Sequence, residues 1–257
     1  NALYRNDGHG NFEDVSTQTG LNDPGWGTAA AFVDLDGDRD LDLFHANYIN
    51  WSEAAELQCF ISGVPTYCPP QNYQSAAVDR LFRNNGDGTF TDIAAATGLD
   101  VIGFIKGVAW GDIDNDGDLD LFVGQWKQPY LAGSMPTPYY DSRDGYPDFL
   151  LSNNGSGQFL DITESAGLSP NQNRRTLSAS LADLDGDHDL DLLAVCDYAG
   201  IDLYRNNGQG QYEDMSNLWA KERHGFGMAH AINDFDGDGN LDPVPTPAPA
   251  NPEDVLP

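Results

Sequence analysis

One stretch returns four times along this chain, and it restricts the fold more than any other feature. It reads LYRNDGHGNFEDVSTQTGL from Leu3, LFRNNGDGTFTDIAAATGL from Leu81, LLSNNGSGQFLDITESAGL from Leu150 and LYRNNGQGQYEDMSNL from Leu203. Each copy is a short apolar run, then Asn-Asp-Gly or Asn-Asn-Gly, then a second run carrying Phe or Tyr. Asn and Gly accept the positive φ that a tight reversal needs, so each copy predicts a β-hairpin. A supersecondary unit that recurs in this way signals a stacked or radial array.

Between the hairpins a second motif repeats: DLDGDRDLDL from Asp34, DIDNDGDLDL from Asp112, DLDGDHDLDL from Asp183 and DFDGDGNLDP from Asp234. Each is preceded by an alternating run (GTAAAFV, KGVAWG, TLSASLA, GMAHAIN). A large side chain stands two residues before the first aspartate (Phe32, Trp110, Leu181, Ile232). Small ones stand three and five before it: Ala31 and Ala29, Ala109 and Gly107, Ser180 and Ser178, Ala231 and Ala229. Small residues on one strand face predict crowding, as around a central axis. Downstream, LDLFHA, LDLFVG and LDLLAV alternate into another strand. The unit is therefore strand, acidic loop, strand, connection, hairpin. The fold class expected is all-β: a β-propeller of four-stranded antiparallel blades, with about four blades' worth of repeats over residues 1–242.

The array is out of phase with the ends of the sequence. Residues 1–16 can complete the blade begun by 226–242 and close a ring. Against this, Pro243, Pro245, Pro247 and Pro249 occupy alternate positions where a second strand is due. Proline has no N–H, so this segment pairs on one side at most. Over residues 243–257 a Pro-rich tail or linker is favoured over an edge strand.

Numbering each acidic loop from its first aspartate, the carboxylates occupy odd positions. They are Asp34, Asp36, Asp38, Asp40 and Asp42; Asp112, Asp114, Asp116, Asp118 and Asp120; Asp183, Asp185, Asp187, Asp189 and Asp191; and Asp234, Asp236, Asp238 and Asp242, with Asn240 at position 7. Oxygen-only, anionic ligands on a tightly turned backbone suit a hard cation of high coordination number, calcium before magnesium. Side chains at positions 1, 3, 5 and 9 with a backbone carbonyl at 7 would fill most of a calcium shell. Absence of His or Cys at the alternate positions disfavours zinc and copper. The position-12 Glu and flanking helices of an EF-hand are missing too: His45, Val123, Ala194 and Pro245 stand there. The alternative, a solvated acidic turn, leaves carboxylates about 4 Å apart repelling by ~4 kcal/mol at an effective dielectric of 20. Four copies in register favour binding of about four Ca²⁺.

Charge and composition exclude other classes. Forty-one acidic against 12 basic residues give a net charge of −29, which repels nucleic-acid phosphates. Such acidity alone would suggest disorder, but 5 Trp, 11 Tyr and 12 Phe with regular alternation predict a folded chain. No run approaches the ~20 apolar residues of a membrane span. The chain opens inside a motif, so any targeting segment is expected to lie outside this sequence. Of three cysteines, Cys59 and Cys68 read as a disulfide closing a small loop, in preference to two free thiols. Cys196, in an apolar run, reads as a buried small hydrophobe.

No catalytic constellation is legible. Ser134 and Ser156 lack the strand-turn-helix setting of a nucleophile elbow. The histidines are scattered: His9 and His188 in turns, His45 after a strand, His224 and His230 flanking the last inner strand. His230 could line a channel, but a structural role is favoured. Arg174 and Arg175 could hold a carboxylate or acidic sugar, with offsetting of local acidity preferred. Two connections are long: residues 47–79, with Tyr48, Trp51, Tyr67 and Tyr73, and 124–147, with Trp126, Tyr130, Tyr139 and Tyr140. Their aromatics suit a protein contact or a carbohydrate-stacking platform, or else packing among the loops themselves. Asn50 and Asn154 begin glycosylation sequons; the second falls in a hairpin turn and reads as structural.

Taken together, the DxDGDxDLDL loops and LYRNNGxGxF hairpins resemble the FG-GAP/VCBS repeat of integrin α-subunit propellers and bacterial surface proteins. With the YCPP insertion before DRLFRNNGDGTFTD, and with ERHGFGMAHAINDFDGDGNLD, the chain is more similar to the cartilage acidic protein/UnbV (ASPIC) group. The resemblance covers residues 1–242 and implies calcium ligands throughout the four loops. Family propellers carry more blades than this chain has material for. That leaves a small closed ring, a fragment of a larger one, or blades completed by another subunit. The function expected is an extracellular or cell-surface calcium-binding module, structural or adhesive and without enzymatic activity, able to form homo-oligomers or filaments. A lyase-like, polysaccharide-active enzyme on the same scaffold is the alternative, by analogy of fold alone.

Overall fold

The computed structural model describes residues 1–249 apart from 22, 24, 69, 74, 76, 101–104, 127–139 and 220–224. The chain divides into two compact units, residues 1–104 and 105–257.

The first unit opens with a hairpin, β1 (Tyr4–Asn6) and β2 (Phe12–Asp14), followed by one helical turn, α1 (Ser16–Thr19). A four-stranded antiparallel sheet follows, built from β3 (Gly27–Val33) and β4 (Asp42–Asn47) with a later hairpin. Between them a small disulfide-bearing hairpin, β5 (Cys59–Ile61) and β6 (Val64–Thr66), projects from the insertion. The later hairpin is β7 (Arg80–Asn84) and β8 (Phe90–Asp92), followed by the turn α2 (Ala94–Thr97). Strand order is β3-β4-β7-β8. Leu21, Leu43 and Phe82 form one core cluster, with Leu3 and Phe90 packed against it, and Tyr48 and Ile49 form another.

The second unit repeats the plan twice and begins it a third time. One sheet is β9 (Ile105–Gly111), β10 (Asp120–Gln125), β11 (Phe149–Asn153) and β12 (Phe159–Asp161). The next is β13 (Arg175–Ala182), β14 (Asp191–Asp197), β15 (Gly200–Asn206) and β16 (Tyr212–Asp214), followed by the turn α3 (Ser216–Trp219). Both run in chain order, and a last pair, β17 (Gly225–Asn233) and β18 (Asp242–Pro249), stands as two strands. The fold is all-β with antiparallel sheets, and the strand-loop-strand-hairpin unit read from the sequence is present in each four-stranded sheet.

The same local chemistry recurs in each copy. A backbone bond across the turn closes every hairpin: Asp7 N–H to Asn11, Asn85 to Thr89, Asn154 to Gln158 and Asn207 to Gln211, at 3.0–3.1 Å. Gly86 and Gly88 within one of these turns have φ of +74° and +83°, which only glycine adopts without strain. Each first strand carries a bulge at the equivalent place, around Thr28, Lys106, Leu177 and Met228.

Small residues mark close approach in the second unit. β9 packs on β13, and β13 and β14 on β17. A Cβ added at Gly107 would lie 3.0 Å from Ser178 Cα, and one at Gly227 would strike Val195. Between the two four-stranded sheets, Ile113, Phe122, Leu150, Leu192, Tyr204 and Tyr212 belong to one core cluster. Leu193, Val195, Ile201 and Leu203 form another, against Ile232.

One expectation changes. Residues 242–249 are not a linker: they pair with β17, Pro243 opposite Ile232, Pro245 opposite His230, Pro247 opposite Gly227 and Pro249 opposite Gly225. An edge strand needs donors only toward its single partner, and alternate prolines leave that side intact. Residues 250–257 of the expected tail lie outside the described residues.

Candidate metal loops

Each acidic loop sits between the first two strands of its copy, where a turn gathers its carboxylates. Asp34, Asp36 and Asp38 bring oxygens within 4.8 Å of one another, as do Asp112, Asp114 and Asp120; Asp183, Asp185 and Asp191; and Asp234, Asp236 and Asp242. Positions 1 and 3 therefore converge in all four loops, with position 5 in the first and position 9 in the others.

The aspartates also have separate structural tasks. At position 1 the carboxylate accepts backbone N–H bonds from its own loop: from Asp116 and Gly117 at Asp112, from Gly186 and His188 at Asp183, and from Gly237, Asp238 and Gly239 at Asp234. Position 5 accepts from the residue two further on: Asp38 from Asp40, Asp116 from Asp118, Asp187 from Asp189 and Asp238 from Asn240.

Position 9 is buried at Asp42, Asp120 and Asp191. One oxygen of each accepts an N–H within the loop (Leu35, Ile113, Leu184). The other accepts an N–H from the third strand of the same sheet (Asn84, Asn153, Asn206), at 2.8–2.9 Å. Position 9 thus ties the acidic loop to the hairpin.

Position 7 turns away from the cluster. A Cβ added at the hairpin glycines Gly86, Gly155 and Gly208 would come within 3.0, 2.5 and 2.5 Å of carboxylate oxygens of Asp40, Asp118 and Asp189. These side chains rest on the Asn-Asn-Gly turns, which links the two repeated motifs physically.

The loops are electrostatically unbalanced. Burial, with the charges of Asp114 and Asp116 adding, pushes the Asp120 carboxyl up to about 6. Burial and neighbouring aspartates likewise push Asp42, Asp114, Asp185 and Asp191 upward. Oδ1 of Asp34 and Oδ1 of Asp114 are buried without a hydrogen-bond partner. A buried, unpartnered carboxylate oxygen inside a cluster of like charges fits an oxygen-coordinated dication.

The other sequence-named residues are mostly structural. Arg174 and Arg175 are buried. Arg174 pairs with Asp141 at 2.6 Å and Asp202 at 3.0 Å; Arg175 makes two 2.9 Å bonds to Asp144 and lies 5.0 Å from the Tyr198 ring. His45 bonds Asp23 at 2.9 Å, where Asn47 also donates. Burial opposes ionisation of Asp23, but the His45 and Asn47 bonds hold its carboxyl well below the usual range. His230 Nε2 lies 2.6 Å from Ser180 Oγ, and burial pushes the imidazole pKa down. Asn154 accepts bonds within its own turn. Cys59 and Cys68 form the expected disulfide, and Cys196 is a buried free thiol. Ser134, Tyr130, Tyr139 and His224 lie outside the described residues.

Sequence reasoning missed the buried acids Asp23, Asp79, Asp148 and Asp202. Asp79 and Asp148 stand at the same place before β7 and β11, and each accepts the N–H of the residue ending the preceding strand, Asn47 or Gln125. Their shared position two residues before the repeated Leu was the available signal.

This is a repeat protein whose sheets share one acidic loop and one hairpin. The profile of the FG-GAP-like repeat matches residues 1–45, 71–123 and 183–244, and the chain belongs to that family. It is similar to cartilage acidic protein 1 of Xenopus tropicalis, at 34% identity over 172 residues covering 63% of this chain and 24% of that protein. Against cartilage acidic protein 1 of Homo sapiens the figures are 31% over 171 residues, 63% and 23%. The chain spans about a quarter of the length of these curated relatives. Among solved structures, an exotype rhamnogalacturonan lyase, YesX, aligns with a TM-score of 0.43 and 17% identity over 86% of this chain and 38% of that one. At that score the likeness assigns neither architecture nor activity.

Proposed function

We propose that this chain is an extracellular calcium-binding β-propeller module with a structural or adhesive role. The observation that carries the reading is the convergence of positions 1 and 3 with a third carboxylate in all four acidic loops. A bound Ca²⁺ would supply charge neutralisation and an oxygen-coordination centre. The chain's own residues do the rest. Asp34, Asp112, Asp183 and Asp234 hold the loop backbone, Asp42, Asp120 and Asp191 couple it to the third strand, and Asp40, Asp118 and Asp189 brace the hairpin turn. In this scheme ligation falls to positions 1, 3, 5 and 9 with the carbonyl at 7.

Side-by-side first strands in the second unit, with glycine and serine at their contact, support reading the sheets as propeller blades. Calcium outside cells is about millimolar, which suits sites of 10⁻⁴–10⁻³ M affinity. The relatives' name, cartilage acidic protein, supports the extracellular assignment. No described helix is long and apolar enough to cross a membrane. Insertion 47–79 supplies an exposed aromatic surface for a partner, and exposed Phe12, Phe32, Met228 and Phe235 offer apolar surface for assembly. We read the module as non-catalytic: His230, beside Ser180, has a buried Nδ1 without a hydrogen-bond partner and so no orienting carboxylate.

Thermal melts in millimolar calcium and in excess EGTA test the proposal. Each site at ten times its Kd adds about 1.4 kcal/mol to the folded state, so chelation should lower the Tm by many degrees. An unchanged melt overturns the calcium reading. A polysaccharide panel followed by unsaturated-product absorbance tests the absence of lyase chemistry.

A further inference from the structure

Insertion 47–79 builds a cleft whose chemistry is narrower than a general contact surface. Trp26, Trp51, Tyr67 and Tyr73 line it together with Glu56 and Cys68, around about 650 Å³ of space, all within the first unit. That volume falls in the range of small-molecule sites. The two indoles meet edge to face, centroids 5.7 Å apart and planes at 72°, forming a corner. The floor is fixed: the Trp26 backbone N–H donates to the Ile49 carbonyl and the Tyr48 backbone N–H donates to the Trp26 carbonyl, while the Cys59–Cys68 disulfide closes the outer loop.

The polar edges of two of the four rings are already used. Glu56 Oε2 accepts both the Trp51 indole N–H, at 2.5 Å, and the Tyr73 hydroxyl, at 2.9 Å. That leaves the Trp26 indole N–H and the Tyr67 hydroxyl as ring donors for the hydroxyls of a sugar. Glu56 is the one charged side chain among the described lining residues, and the chain as a whole carries −29. Anions are repelled here, and neutral polar ligands find few partners. An alkylated ammonium is weakly hydrated, is attracted by aromatic quadrupoles and buries its methyl groups against them.

We propose that this cleft binds organic cations bearing a quaternary ammonium head and an apolar body, the rings of Trp26, Trp51 and Tyr73 and the Glu56 carboxylate holding the charge. The proposal deepens the reading of insertion 47–79 as a contact surface and rests on it, but it does not depend on calcium.

The test compares acetylcholine with its uncharged carbon isostere, 3,3-dimethylbutyl acetate, by calorimetry and tryptophan fluorescence. Protein shown to be folded by circular dichroism is used with and without calcium, so failure of the calcium reading and failure of this one are distinguishable. The cation should bind at least about tenfold tighter than the isostere. Glu56→Gln, which keeps an acceptor for both rings, should reduce that ratio while leaving isostere binding unchanged. Tyr67→Ser removes a side chain that is 89% exposed and lacks a core role, so it should fold and weaken the cation several-fold. Equal affinity for the two probes, binding of methyl glycosides alone, or no binding by folded protein would each overturn the assignment.

Discussion

At position 7 of the first three loops an aspartate does work the alternating spelling conceals. Five carboxylates in one run look equivalent, yet Asp118 rests on the Gly155 turn while Asp114 faces the cluster with a buried, unpartnered oxygen. Alanine at each separates the roles. Asp114→Ala should remove one calcium from the stoichiometry measured by calorimetry, whereas Asp118→Ala should leave the stoichiometry unchanged and weaken the hairpin. Asn240 in the fourth loop is a natural case of the second kind. A different acid adds to the pH dependence. Burial, with Asp23 adding, pushes Asp79 up to about 8, and its Oδ2 has no partner. A raised carboxyl pKa contributes stability that is full below its unfolded value of 3.8 and is lost as pH rises through about 8. Denaturant titrations should therefore show this contribution declining from about pH 4 to about pH 8 and levelling off above that, by at most about 1.4 kcal/mol per pH unit for this group. Asp79→Asn should flatten that slope.

Strands and hairpins were legible because their causes are local. Asn-Gly turns, alternation and small residues act over a few neighbours, and the structure places a hairpin at every copy. What remained hidden depends on distant partners. Arg174 meets Asp141 and Asp202, residues far apart in the chain, and nothing in the spacing announces that meeting. The proline segment misled for another reason: propensity counts every residue against a strand, whereas an edge strand needs donors only on alternate ones. Two element-scale outcomes follow. Leu192→Ala, fully buried between two sheets, should cost ~2–5 kcal/mol in chemical denaturation. Arg174→Met should cost ~3–5 kcal/mol because it strands two acids, and adding Asp202→Leu should recover part of that loss.

On the scale of the whole molecule, charge and edge chemistry set how the chain meets other molecules. A net charge of −29 keeps copies apart at low salt. The strand β18 adds a backbone constraint. Its available donors are Asp242, Val244, Thr246 and Ala248, of which Asp242, Val244 and Ala248 stand opposite β17 residues and Thr246 faces the bulge, while the prolines at the alternate positions offer carbonyls alone. A newcomer strand there would form at most half a ladder. Replacing Pro245 and Pro247 with threonine should make association concentration-dependent in light scattering. The native prolines behave as a selvedge: the weave is finished at that margin, so that growth, if it happens, must begin from some other side of the cloth.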